Sequence, residues 1–277
     1  LRIKKVTSKR FFIYLILSLF AIANAYPIVW MVLNSLKTAD EFALDRIGLP
    51  EGFAFQNYID AWNTANFGSF FVNSLIVSLV SVVITVFLGA LAAYFLSRFQ
   101  FRMSKFIYGF FVFGLLVPVH ATLVPMFILM SKLGLLNTHF SLILPYVAFN
   151  MPISIFLLVS FMKSFPKDIE ESAIMDGAGI LKIFWSIILP MTRPAIATVV
   201  ILSFINNWNE FVFALVLIND PALATLPLGL QNFAGQYETN YVGQMAGLTM
   251  ALVPILIVYL FLEKELVKGM TAGAVKG

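Results

Sequence analysis

The sequence has no cysteine, so disulfide staples, thiolate metal ligands and thiol nucleophiles are excluded. Charge is nearly as scarce. Asp, Glu, Lys and Arg make up 12% of the 277 residues, against roughly 25% in soluble domains. The two histidines, His120 and His139, lack metal-ligand spacing. Phosphate-loop, zincin and serine-hydrolase signatures are all missing, so a nucleotide-binding module or a membrane hydrolase has no support. Period-two alternation is also missing, which argues against a β-barrel. No internal repeat or low-complexity tract breaks the chain.

What is present is apolar. Hydrophobic residues make up 60% of the chain and phenylalanine alone supplies 29 copies, more apolar surface than a soluble fold of this size could bury. The class is therefore an integral membrane protein. A span needs about 20 apolar residues to cross about 30 Å of hydrocarbon. Six such runs fall at about 11–36, 69–97, 106–131, 133–162, 195–218 and 244–262. The expected fold is all-α with six spans in one membrane domain, 1–277. Pro118, Pro125, Pro145 and Pro152 predict bent or broken helices in spans three and four.

Flanking cations predict the orientation. The amino terminus, the 98–105 loop, the 163–194 loop and the carboxyl terminus together carry fifteen Lys and Arg, and the opposite side carries only Lys37, Arg46 and Lys132. The positive-inside rule makes the first side cytoplasmic, with both termini there. Ala23-Asn24-Ala25 offers an alternative, a cleaved signal peptide, but the apolar run continues to Leu36 and suits a span better. The basic start, Arg2 to Arg10, reads as a topology signal rather than a nucleic-acid site.

The loop at 163–194 is not a plain connector. Pro166 suits a first helical turn, and Asp168, Glu170 and Glu171 follow at the positive end of a helix. Gly177 is placed to end that helix, and Gly179 to allow an immediate second turn. Ile180, Phe184, Ile187 and Ile188 then recur at helical spacing, and Leu189-Pro190 is expected to stop the second helix. On pattern alone two readings stay open for this amphipathic helix-turn-helix. It could lie on lipid headgroups, or dock a cytoplasmic partner.

Glu171-Ser172-Ala173, then Gly177, Ile187 and Leu189-Pro190 resemble the EAA loop of permease subunits in binding-protein-dependent ABC importers. Ser172 stands where that family often has alanine, a small-for-small change that implies no change of role. Asn34-Ser35-Leu36-Lys37-Thr38 and Trp208-Asn209-Glu210-Phe211 look like the carbohydrate branch, and the tail Gly269 to Gly277 is similar to that of the maltose-type G permeases. The resemblance covers nearly the whole chain. It implies a type I importer permease, multi-pass in a bacterial plasma membrane, whose cytoplasmic coupling helix enters a cleft in an ATPase. It further implies a second permease, two cytoplasmic ATP-binding subunits and an extracytoplasmic sugar-binding protein as partners. The chain itself is then no enzyme and has no cofactor of its own, since ATP and Mg are held by the partner ATPases. The coupling residues it implies are Glu171, Ser172, Ala173, Asp176, Gly177, Ala178, Gly179, Leu189 and Pro190.

Two further groups are candidates. Asn206, Asn207, Trp208, Asn209 and Glu210 place amides, an aromatic face and a carboxylate near the outer end of the fifth span, groups suited to a hydroxyl-rich substrate. Helix–helix hydrogen bonding is the plainer reading of the same amides. Glu210 also carries the alternative function, an ion-coupled secondary transporter. It lies sixteen residues from Pro194, roughly 24 Å along a helix and so near the membrane boundary, where a partly hydrated carboxylate is expected. The outer segment 219–243 has no Lys or Arg but many apolar and turn residues. Gln231, Asn232, Phe233, Ala234, Gly235 and Gln236 are its candidate binding-protein contact; packing of the segment on the chain's own helices is the competing reading.

Overall fold

The structure is a computed structural model that describes residues 8–64, 66–233 and 240–274. No strand occurs among the described residues. Among these residues four helices are long and apolar enough to cross a membrane, or up to six if each of two bent helix pairs is one span. The chain divides into two compact units.

The first unit gathers the described parts of 1–67 and 230–252. Helix α1, Ser8–Ser35, is an apolar cylinder, exposed from Arg10 to Val29 and packed only over its last turns. At its end the Asn34-Ser35-Leu36-Lys37-Thr38 motif becomes the hub of a small cap made with α2, Ala39–Leu44, and α3, Gln56–Thr64. Asn57 Nδ2 donates to the carbonyls of Ser35 and Lys37, each at 2.8 Å. The buried Lys37 ammonium donates to the Asp45 carbonyl at 2.7 Å, and Trp30 Nε1 donates to the Arg46 carbonyl at 2.6 Å. The N–H groups of Gly48 and Ile47 hold the Asp45 carboxyl below the ordinary carboxylate range.

The second unit gathers 68–229 and the described part of 253–277. Its axis is α4, Phe67–Arg98. Then come α5, Ser104–Gly114, and α6, Leu123–Lys132. The long α7, Phe140–Met162, leads to α8, Asp168–Met175. Next, α9, Ile180–Ile183, runs through a π-helical turn, Phe184–Ile188, into α10, Leu189–Met191. After α11, Arg193–Trp208, come α12, Val212–Leu217, and α13, Leu226–Gly229. The last helix, α14, is Tyr241–Ala274, of which the part up to Leu252 belongs to the first unit and the part from Val253 to the second. One core joins Ala90, Ala93 and Tyr94 of α4 to Ile155, Leu158 and Met162 of α7 and to Ala173, Ile183, Phe184 and Ile188 of the 163–194 segment. A second core joins Val77 of α4 to Leu142 and Tyr146 of α7 and to Phe213 and Leu217 of α12. From Val77 to Ala90 the helix rises about 20 Å, so the cores lie toward opposite ends of α4.

Several expected spans are shaped differently. The run at 106–131 is not one helix: Ser104–Gly114 and Val119–Lys132 meet at 94°. Pro118 has no N–H for the Gly114 carbonyl and drives Val117 out of the helical region. Pro145 and Pro152, by contrast, sit inside an unbroken α7, as packed neighbours permit in membrane helices. The run at 195–218 is interrupted after Trp208 and resumes at Val212. Leu189-Pro190 does not stop its helix, which continues to Met191 and bends by 73° into α11. The π turn immediately upstream shifts the hydrogen-bond ladder, with Leu189 N–H donating to the Phe184 carbonyl, and opens the turn that a proline ring would otherwise crowd.

Candidate functional site

The 163–194 segment is an ordered pair of helices packed on the bundle. The three carboxylates Asp168, Glu170 and Glu171 occupy the first turn of α8. Its far end is closed by a Schellman motif. Gly177 N–H donates to the Ile174 carbonyl and Ala178 N–H to the Ala173 carbonyl, both at 2.9 Å. The motif requires a left-handed residue, and Gly177 has φ +80°. Gly179 has φ −74°, open to any residue, so the second turn does not depend on glycine there. Ser172 Oγ donates to the Asp168 carbonyl at 2.7 Å, a bond alanine could not make.

The pair has two faces. Ala173, Ile183, Phe184 and Ile188 are buried in the core, and Ile187, Leu189 and Pro190 are half-buried. Of the expected apolar stripe Phe184 and Ile188 are buried and Ile187 half-buried, whereas Ile180 at the start of the second helix is exposed and Ile183 is buried. The other face carries Glu171, Asp176 and Gly177, all exposed, beside an apolar tip of Ile174, Met175, Ile180 and Leu181. Met175 is 87% exposed and Leu181 70%. An ordered, exposed apolar tip next to carboxylates is a surface of the kind that a partner or lipid headgroups cover.

One ion pair ties this segment to a long helix. Arg98 Nε, in the last turn of α4, lies 2.6 Å from Glu170 Oε1, and both side chains are largely buried. Arg98 Nη1 also donates to the Phe165 carbonyl at 3.3 Å. The sequence places Glu170 at the positive end of a helix and Arg98 among the flanking cations, but does not pair them. Adjacent helical residues point about 100° apart, which turns Glu170 to the bundle and leaves Glu171 exposed.

The 206–210 cluster divides. Asn206 and Asn209 are exposed, Asn207 and Trp208 are buried, and Glu210 is half-buried. The Trp208 ring stacks on Phe204 at 5.5 Å and meets Phe71 edge-on at 5.5 Å, so neighbouring rings occupy it. Glu210 serves structure. Its Oε2 accepts from the Tyr146 hydroxyl at 2.6 Å, and its Oε1 accepts from the Phe213 N–H at 2.8 Å. It thus caps α12 across the interruption. Asn150 Nδ2 donates to Asn207 Oδ1 at 2.8 Å, a bond between α7 and α11. Asn207 Nδ2 is buried without a hydrogen-bond partner, as are the hydroxyls of Ser78, Ser81 and Thr85 on α4. Their spacing was visible within an otherwise apolar helix, but nothing in sequence alone separated a polar seam from scattered serines.

Past α12 the outer segment is pinned to helix ends. Asn73 Nδ2 donates to the Ala222 carbonyl at 2.8 Å, and Leu226 N–H donates to Ser74 Oγ at 2.7 Å. Asn137, left-handed at φ 59°, accepts from Asp220 N–H at 2.8 Å. His139 Nε2 lies 3.1 Å from Asn73 Oδ1. Residues 219–229 therefore pack on the chain's own helices. Gln231 is exposed. Ala234, Gly235, Gln236 and the side chains of Asn232 and Phe233 lie outside the described residues.

Apolar helices around a seam of amides and hydroxyls, with an ordered apolar-tipped helix pair at one surface, define a multi-pass membrane permease subunit. Residues 85–271 match the family described as the binding-protein-dependent transport system inner membrane component, and the chain belongs to that family. It is 40% identical over 265 residues to a probable ABC transporter permease, YurM, of Bacillus subtilis, spanning 96% of this chain and 88% of that one. It is 36% identical to the diacetylchitobiose uptake system permease NgcG of Streptomyces coelicolor, over 93% of this chain and 86% of that one. A chain in the crystal structure of a bacterial ABC transporter involved in import of the acidic polysaccharide alginate superposes with TM-score 0.80 at 26% identity, covering 91% of this chain and 94% of that one. The fold is that of a type I ABC importer permease.

Proposed function

We propose that this chain forms half of the translocation pathway of an ATP-driven carbohydrate importer. It pairs with a second permease and couples through the 163–194 segment to two cytoplasmic ATP-binding subunits, which hold ATP and Mg and carry out hydrolysis. An extracytoplasmic binding protein delivers the sugar. The observation that carries this reading is the helix pair itself, closed at Gly177, buried on one face and apolar at its exposed tip. Relatives named for diacetylchitobiose and alginate support carbohydrate as the cargo class. The cation asymmetry supports a cytoplasmic position for this segment and for both termini, in a bacterial plasma membrane. Asn206 and Asn209, both exposed, and the unpaired Nδ2 of Asn207 support a polar pathway lining there. Gln231 to Gln236 are assigned to the binding protein's contact. Ion coupling through Glu210 gains no support, since three groups of the fold already engage its oxygens.

The test is Gly177→Asp in the assembled importer, measured by co-purification of the ATPase and by ATP-driven uptake into proteoliposomes. Loss of both, with the chain still inserted, is the expected result. Normal association together with normal uptake would remove the coupling role.

A further inference from the structure

A cavity of about 640 Å³ lies among the end of α4, the turn at 99–103, the start of α5 and the end of α7, within the range of about 300–1,000 Å³ that suits small-molecule ligands. Its charged lining is Arg102, Lys105 and Lys163, with no carboxylate among the lining residues. Arg98, the other cation at this end of α4, is already paired with Glu170. The Lys163 ammonium stands 5.2 Å from the centre of the Tyr108 ring, which holds one cation at the wall. Helix α5 begins at the cavity without a side-chain cap, so its positive end adds to the cations. Gln100 and Ser104 add neutral hydrogen-bonding groups to the lining. Beyond it, Phe106 and Phe110, one helical turn apart on α5, are 69% and 67% exposed.

We propose that this cavity is a binding site for an anionic glycerophospholipid. The phosphate sits among Arg102, Lys105 and Lys163, the headgroup hydroxyls meet Gln100 and Ser104, and the acyl chains run along Phe106 and Phe110. Charge complementarity selects the occupant. A cationic cup where spans end, opening onto an exposed aromatic face, presents both halves of a lipid with matching groups. A zwitterionic lipid would set its own cation against three others. The inference does not depend on which sugar is carried.

The experiment is native mass spectrometry of the delipidated full-length chain, titrated with dioleoyl phosphatidylglycerol, dioleoyl phosphatidylcholine or inorganic phosphate. Phosphatidylglycerol is expected to bind in preference to phosphatidylcholine, with an affinity that falls as salt rises. The triple variant Arg102→Gln, Lys105→Gln, Lys163→Gln should weaken phosphatidylglycerol binding by about 100-fold and leave phosphatidylcholine unaffected. Lys105→Arg with Lys163→Arg should retain it. Equal affinity for the two lipids in the wild type overturns the proposal, and this comparison needs no variant to fold. Unchanged phosphatidylglycerol affinity in a folded triple variant also overturns it. Displacement of the lipid by millimolar phosphate would make the site one for a soluble anion and defeat the lipid assignment. If the assembled importer takes up no phosphatidylglycerol here, the cavity is a subunit contact and the assignment fails.

Discussion

Gly177 holds a left-handed backbone that an alanine would adopt at a cost of about 1–2 kcal/mol, yet a Cβ there would meet nothing within 4 Å in this chain. Backbone strain and partner obstruction can therefore be separated. Asparagine tolerates the left-handed region, so Gly177→Asn should leave thermal stability near wild type but abolish ATPase retention and uptake, as is expected of Gly177→Asp. Full uptake by Gly177→Asn would mean that no partner surface closes over the turn. Glu210 is the opposite case, a charged residue whose work is internal. Glu210→Gln keeps an acceptor for Tyr146 or for the end of α12 and should transport normally. Glu210→Ala should lose about 1–2 kcal/mol in thermal unfolding, because a cap and a buried hydroxyl go unpaired. Uptake that collapses in Glu210→Gln and follows a proton or sodium gradient would restore ion coupling. Gly229 is a packing glycine: a Cβ would run into the ring of Phe70, which is buried. Gly229→Ala should cost about 1–3 kcal/mol by overpacking, read as a lowered Tm of the purified chain.

Between elements, the Arg98–Glu170 pair is the mechanical joint. It fastens the first helix of the surface pair to the end of α4, and the shared core of Ala173, Ile183 and Phe184 with Tyr94 and Leu158 stiffens the connection. Under the proposed coupling role, a displacement of α8 would be passed to α4 rather than absorbed by a slack loop. Removing one member of a buried pair leaves the other charge uncompensated, at about 3–5 kcal/mol for a fully buried pair. Arg98→Gln and Glu170→Gln should each lower sugar uptake more than ATP hydrolysis by the assembled complex. The exchange Arg98→Glu with Glu170→Arg should recover part of it. A double-mutant cycle decides the point. If stability falls while uptake per folded complex stays constant, the pair is structural glue without a coupling role.

Across the whole molecule, α1, α5 and the tip of the helix pair expose apolar surface, which in the proposed complex lipid and partner subunits would cover. The outer segment is anchored through residue 229 by Asn73, Ser74 and Asn137. Replacing Gln231 to Gln236 with a Gly/Ser linker should therefore spare assembly, while lowering the ATPase stimulation produced by sugar-loaded binding protein. Undiminished stimulation in an assembled complex would show that this stretch does not reach the binding protein.

Membrane class, the apolar runs and the position of the helix pair were all legible in the chain, because composition, 3.6-residue periodicity and a glycine at a helix end are local properties. The left-handed turn at Gly177 was anticipated from one residue and its neighbours. What was not legible is long-range. Arg98 with Glu170, Tyr146 with Glu210 and Asn150 with Asn207 join residues far apart in the chain, and any of several polar residues had equal claim to those partners. Pro118 announced a bend in the third span but not its 94° angle, and nothing announced the π turn before Leu189. Proline signals that a helix must adjust. Whether it breaks, as at Pro118, or continues, as at Pro152 and Pro190, depends on the neighbours that pack around the freed carbonyl, and those come from elsewhere in the chain.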